Sequence, residues 1–115
     1  MSLVTQVFSP QPASKSKAGD FEDILLVHGM GSASTAWRLL LPELRKHFRV
    51  ITVDLPGHGR TPYFKGTAMD PTSLAHQIHD EMNSLSTGYH LVGNSLGGWI
   101  TLEMAAHFSL SLIHI

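Results

Sequence analysis

The stretch Leu91-Val92-Gly93-Asn94-Ser95-Leu96-Gly97-Gly98 decides the fold of this chain. Leu91 and Val92 form an apolar run that leads straight into Gly-x-Ser-x-Gly, and an apolar helical stretch follows from Gly98 to Phe108. Strand, sharp turn and helix succeed one another, with a serine at the apex. A serine on so tight a turn has strained dihedrals and close neighbours on both sides. Gly93 and Gly97 lack Cβ atoms, so strand and helix can approach each other while the Ser95 hydroxyl points outward. The N–H of Leu96, first in the helix, lies beside that hydroxyl and can donate to negative charge developing on an oxygen there. The pattern alone does not settle the matter. At average glycine and serine usage it arises by chance in roughly a few per cent of chains this long. A helix-entry turn with Ser95 as a plain cap reads the same residues.

Working outward, two further apolar runs precede the serine turn. Ile24-Leu25-Leu26-Val27 is short and continuous, as expected of a strand covered on both faces, and His28-Gly29-Met30-Gly31 follows at once. Val50-Ile51-Thr52-Val53 is the second, followed by Asp54-Leu55-Pro56-Gly57-His58-Gly59-Arg60. Between them Trp37, Leu40, Leu41, Leu44 and Phe48 recur at helical spacing, with Pro42 opening the regular helix. Asp70 reads as an N-cap with Pro71 at the first helical position, and Leu74, Ile78, Met82 and Leu85 mark one face of the helix that follows. His76, Gln77, Asp80 and Glu81 lie off that face. After Ser95 the helix is apolar nearly all round, which predicts burial and places Trp99 in the core, as Trp37 is in its own helix. Leu3, Val4, Val7 and Phe8 suggest a short strand before the loop composition of residues 9–20.

Strands alternating with helices predict an α/β fold, a parallel sheet with helices on its faces and ligand sites at the carboxyl ends of its strands. His28, Asp54 and Ser95 all fall at such ends. The organisation expected is a short strand and loop over residues 1–20, an incomplete core over 21–109, and a tail over 110–115.

The 115 residues fall within the ordinary size of one domain, and 43% hydrophobic with 15% charged residues is the composition of a globular protein. A net charge of -1 gives no reason to expect a nucleic acid or an anionic membrane as partner. With no cysteine, disulfides, thiol catalysis and thiolate metal sites are excluded in this chain. No apolar run reaches membrane-spanning length, and residues 1–20 lack the apolar centre of a signal peptide, so a cytoplasmic protein is expected.

The three blocks after the three apolar runs, His28-Gly29-Met30-Gly31, Asp54 to Arg60, and Gly93 to Gly98, together resemble the α/β-hydrolase fold family in its serine hydrolase branch. The resemblance implies roles by position. Ser95 is then the nucleophile, and the N–H groups of Met30 and Leu96 form the oxyanion hole. His28, Gly29, Gly31, Gly93, Gly97 and Gly98 support the turns that carry them. Such an enzyme cleaves an ester, lactone or related small acyl substrate through an acyl-serine intermediate and water, with no cofactor and no metal. Carbon–carbon bond hydrolases of the same fold also carry asparagine where Asn94 stands, and a non-catalytic binding protein on this scaffold is a further alternative. Serine disfavours the epoxide hydrolases and haloalkane dehalogenases of the fold, which use aspartate.

Several residues have blander readings. In this family the position of His28 usually braces the oxyanion loop. His58 and Asp54 fit a turn that shapes the pocket wall. His76 and His79, beside Asp80, fit a solvated helix face better than a metal site, since no clear further ligand accompanies them.

A serine nucleophile needs a base and an orienting acid, which in this fold follow it on later strands. Residues 96–115 offer only Glu103, His107 and His114, none placed as the family requires. The expectation is therefore an N-terminal fragment, truncated after the elbow helix, with oligomeric state and substrate left open. Residues 110–115 resemble the in-frame translation of a sequencing-library adapter, which predicts a native sequence stopping near Ser109; a clipped strand is the alternative. Cut there, the strand of Leu91 and Val92 would expose an unpaired edge and lower solubility.

Overall fold

In the computed structural model, residues 3–12, 21–63, 65–66 and 68–108 are described, together with the backbone of 112–114. Strands β1 (Val4–Phe8), β2 (Glu22–Val27), β3 (Phe48–Asp54), β4 (Tyr89–Gly93) and β5 (Leu112–His114) form one sheet in the order β1-β3-β2-β4-β5. β2 pairs in parallel with β3 and β4, and β4 in parallel with β5, as the alternating pattern predicts. β1 departs from it: the strand is antiparallel to β3, Val4 opposite Asp54 and Phe8 opposite Val50, so the sheet is mixed. An antiparallel edge needs no covering crossover helix on both sides. β4 is not an open edge, because Leu112–His114 pairs with it over His90 to Val92.

The continuous apolar runs are explained by the two faces of the sheet. Side chains alternate along a strand, so Leu25 and Val27 join Ile51, Val53 and Leu91 on one face, beneath Leu74, Ile78, Met82, Ile100 and Met104. Ile24, Leu26 and Val50 point the other way and pack with Trp37, with Leu41, Leu44 and Phe48 alongside. The first face is covered by α2 (Pro71–Asn83) and α3 (Leu96–His107), the second by α1 (Leu41–Leu44) and a 3-10 turn over Ser34–Trp37.

Pro42 stands in the opening turn of α1, as expected of a residue with no N–H to donate to a preceding turn, and the 3-10 turn precedes it. The helix is shorter than the spacing suggests, because the chain reverses over residues 45–47 and Phe48 enters β3. Trp37 is buried as expected, but Leu40 is half exposed and Leu39 almost fully so. α2 matches its sequence signals. Asp70 accepts the Ser73 N–H at 3.0 Å, Pro71 opens the helix, and Leu74, Ile78 and Met82 are buried.

α3 is not buried all round. Gly97, Gly98, Ile100, Thr101 and Met104 face the sheet and α2, whereas Trp99 and Leu102 are 59% and 53% exposed. Trp99 is therefore a surface residue and not core. The sheet and α2 cover only the side of α3 turned toward them.

At the opposite end of the sheet from Ser95, Arg49 clamps Asp23 from the neighbouring strand. Its Nε donates to Asp23 Oδ1 at 2.6 Å, and its Nη2 donates to Oδ2 at 2.8 Å and to the Leu85 carbonyl at 2.6 Å. Burial pushes the Asp23 carboxyl up, but the hydrogen bonds from Arg49 and Ser86 and the guanidinium charge outweigh it and hold the group below its usual value. A depressed carboxyl contributes stability above its unfolded pKa, lost as pH falls through the folded one. Acid titration of Asp23→Asn is thus expected to show a flatter loss of stability than the native chain at the carboxylate end of the range. At neutral pH the variant should be weaker by about 2 kcal/mol in urea unfolding.

Candidate active site

The segments leaving β2 and β4 depart to opposite faces of the sheet, which makes the carboxyl ends of these two strands the switch point where ligands sit on sheets of this kind. Ser95 stands at that point. Its backbone has φ 57 and ψ -118, the one positive φ outside glycine among the described residues. Holding a serine there costs about 1–3 kcal/mol of backbone strain, and such strain concentrates where a side chain has to be presented. Its hydroxyl is exposed, and among the described residues nothing hydrogen-bonds to it.

Two glycines make the turn possible. A Cβ on Gly93 would run into the Gly97 carbonyl, and a Cβ on Gly97 would run into the Val27 carbonyl and reach 2.6 Å from the His28 oxygen. The start of α3 therefore lies directly on the end of β2. The Asn94 N–H closes this contact by donating to the Val27 carbonyl at 3.1 Å. As the first helical residue, Leu96 has no intrahelical acceptor for its N–H.

The loop after β2 flanks the serine. A Cβ on Gly29 would lie 3.3 Å from Ser95 Cβ and 3.8 Å from its Oγ. The Ser32 N–H donates to the Gly29 carbonyl at 3.1 Å and Gly31 has φ 75, which makes Gly29 to Ser32 a tight turn with glycine where the left-handed conformation is needed. Met30, at the first central position, has its side chain 60% exposed.

Two histidines tie this loop to the one after β3. His28 is buried, and its Nε2 accepts the Leu55 N–H at 3.0 Å. Its Nδ1 therefore carries the proton and donates to the Gly29 carbonyl at 2.7 Å. Burial is the largest influence on this imidazole and pulls its pKa below the ordinary value, so His28 sits neutral beneath the loop. His58 reaches in the reverse direction: its Nε2 accepts the Gly31 N–H at 2.8 Å and its Nδ1–H donates to the Pro56 carbonyl at 3.0 Å. Asp54, 1% exposed, accepts the Ser34 N–H at 2.7 Å and the Arg60 N–H at 3.3 Å. Thr61, unremarked in the sequence, donates to the Asp54 carbonyl at 2.6 Å and accepts the Val4 N–H at 2.8 Å, joining β1 to this end of the sheet. A lone threonine after a turn carries no sequence signal for that.

Glu103 and His107 pair with each other on α3, His107 Nε2 lying 3.2 Å from Glu103 Oε2, and Glu103 also accepts from Thr72. His76 and His79 gather around Phe108, the His79 ring stacking on it at 3.7 Å between centroids. The side chain of His114 lies outside the described residues, as do residues 110, 111 and 115 of the expected tail. Among the described residues no group of three or more histidine or acidic side chains could hold a metal ion, and no helix is long and apolar enough to cross a membrane.

A profile of the alpha/beta hydrolase family matches residues 24–114. The chain belongs to that family. Over 92 residues it is 34% identical to the pimeloyl-[acyl-carrier protein] methyl ester esterase of Vibrio cholerae serotype O1, an alignment covering 80% of this chain and 34% of the relative. Over 89 residues it is 37% identical to the 2-hydroxy-6-oxo-2,4-heptadienoate hydrolase of Pseudomonas putida, covering 74% of this chain and 32% of the relative. Among solved structures, a hydrolase from Pseudomonas aeruginosa PA01 superposes with a TM-score of 0.79 at 24% identity, over 96% of this chain and 38% of that one, a likeness of fold. The chain thus spans about a third of the length of the curated relatives it matches. These relatives are esterases and hydrolases, and the sheet described above is the corresponding part of the α/β-hydrolase fold.

Proposed function

We propose that these residues are the nucleophile-bearing part of a serine hydrolase that cleaves a small ester, lactone or related acyl compound. One observation carries the reading: Ser95 is held at positive φ at the apex of the turn from β4 to α3, with its hydroxyl exposed beside Gly29. A plain helix cap has extended dihedrals and bonds its side chain to the helix N–H groups; Ser95 does neither.

In this reading the Ser95 oxygen attacks the acyl carbon, and the carbonyl oxygen gains negative charge. The N–H groups of Leu96 and Met30 receive that charge, each such donor lowering the barrier by about 3 kcal/mol. The leaving group departs with a proton, and water then attacks the acyl-serine. The base that takes the Ser95 proton, and the acid that orients it, are supplied from outside the described residues, because Glu103 and His107 lie about two and three turns along α3 from Ser95. No cofactor enters these steps. The named activity of the Vibrio relative supports an ester as substrate.

The 37% identity to a 2-hydroxy-6-oxo-2,4-heptadienoate hydrolase favours a second reading, in which the same serine turn serves carbon–carbon bond hydrolysis of an oxo-dienoate. Covalent capture by a fluorophosphonate probe in the whole protein tests the serine hydrolase reading. Labelling is expected, and its absence favours a non-catalytic binding protein on this scaffold. Comparison of p-nitrophenyl butyrate with 2-hydroxy-6-oxo-2,4-heptadienoate as substrates separates the two enzymes. The 115-residue chain alone is expected to show no turnover; esterase activity lost in Ser95→Ala would overturn that.

A further inference from the structure

We propose that His58 is a positioning residue, a latch whose Nε2 lone pair holds the Gly31 N–H and so fixes the orientation of the turn over Ser95. The inference builds on the reading of this turn as the carrier of an oxyanion donor, but its test requires no substrate.

Within the turn from Gly29 to Ser32, the central peptide joins Met30 to Gly31. With Gly31 at φ 75, this peptide directs its N–H toward His58, whose Nε2 lies 2.8 Å away. The alternative turn reverses the central peptide and sends the Met30 carbonyl where the N–H had been. Little else selects between the two. The Met30 side chain is exposed, and the space where a Gly31 Cβ would sit is empty within 4 Å. Among the described residues the latch is the one side-chain bond to this peptide, and it discriminates because a neutral Nε2 accepts an N–H and repels a carbonyl. The Met30 N–H belongs to the preceding peptide, so His58 acts on it through the turn.

The Nδ1–H of His58 is committed to the Pro56 carbonyl, which leaves Nε2 as the acceptor. The His28 ring lies 5.3 Å away between centroids, and both its nitrogens are committed elsewhere, so it offers Gly31 no acceptor. His28 donates from Nδ1 to the Gly29 carbonyl, on the other side of the same turn.

The test is amide exchange and ¹⁵N spectroscopy of the isotopically labelled 115-residue chain, native and as His58→Gln and His58→Phe. The native Gly31 amide is expected to be protected and the His58 ring to show the Nδ1–H tautomer. Phenylalanine offers no acceptor, so His58→Phe should lower the Gly31 protection factor about tenfold, the loss of one hydrogen bond, while core amides such as those of Leu25 and Ile51 stay protected. A glutamine side chain offers a carbonyl acceptor, so His58→Gln should keep the protection. Undiminished Gly31 protection in the phenylalanine variant overturns the proposal. So does an Nε2–H tautomer of the native His58 ring, which could not accept the Gly31 N–H. Should the phenylalanine variant not fold, the native tautomer and the glutamine variant decide, and loss of Gly31 protection in the glutamine variant overturns the proposal. Failure of esterase activity in the whole protein would leave these readouts unchanged and would bear on the proposed function only.

Discussion

Ser95→Ala is expected to remove fluorophosphonate labelling of the whole protein and to lower kcat by about five to six orders of magnitude, the size of loss when an activated serine nucleophile is deleted. Folding should be unaffected. The Ser95 hydroxyl is exposed and makes no hydrogen bond among the described residues, and alanine meets the same backbone strain at φ 57. Ser95→Gly sharpens the test. Glycine occupies positive φ without a Cβ clash, so this variant should be as inactive as the alanine variant yet more stable than the native chain by about 1 kcal/mol in urea unfolding. A variant that kept its activity would sink Ser95 as nucleophile. A glycine variant no more stable than the native would mean that the turn stores no strain.

The second large effect concerns the fold. Gly97→Ala is expected to destabilise the chain by about 3 kcal/mol or more, enough to lower Tm by well over about 10 °C in a domain of this size. The added methyl meets the carbonyl groups of Val27 and His28, both backbone atoms in and after the central strand, and neither can swing aside as a side chain would. Relief requires lifting the start of α3 off β2, which breaks the packing of Ile100 and Met104 on Leu25 and Leu91. Gly31→Ala is the control. Its φ of 75 is also positive, but the space around it is empty, so only the dihedral penalty of about 1 kcal/mol applies. Equal losses at the two positions in thermal or urea unfolding would contradict a steric cause at Gly97.

Much of this was legible in the residues. Ile24-Leu25-Leu26-Val27 reads as a strand buried on both faces, because apolar side chains alternating to both sides need cover on both. Gly93 and Gly97 bracket Ser95 because no other residue fits between strand and helix, and that steric demand is written in the residue types themselves. Asp70 followed by Pro71 announces a helix start by purely local bonding, which tertiary contacts leave alone.

Where the sequence misled, the missing information was which neighbour lies across the way. Trp99 and Leu102 are as apolar as Ile100 and Met104, and composition cannot tell which side of α3 the sheet and α2 cover. The spacing from Trp37 to Phe48 is helical, and Pro42 opens α1 as the pattern has it, yet the helix stops at Leu44 and Phe48 belongs to β3.

By itself, then, the sequence determined the alternation of strands and helices, the parallel heart of the sheet and the serine turn, because each follows from side-chain size, polarity and the absence of a Cβ within a few residues. Only the tertiary structure decided that β1 runs antiparallel, that Asp54 and Thr61 stitch the loops together, and that His58 reaches Gly31. Those bonds join residues far apart in the chain, and a hydrogen bond's partner is chosen by what the fold brings within about 3 Å, not by the residue that offers it.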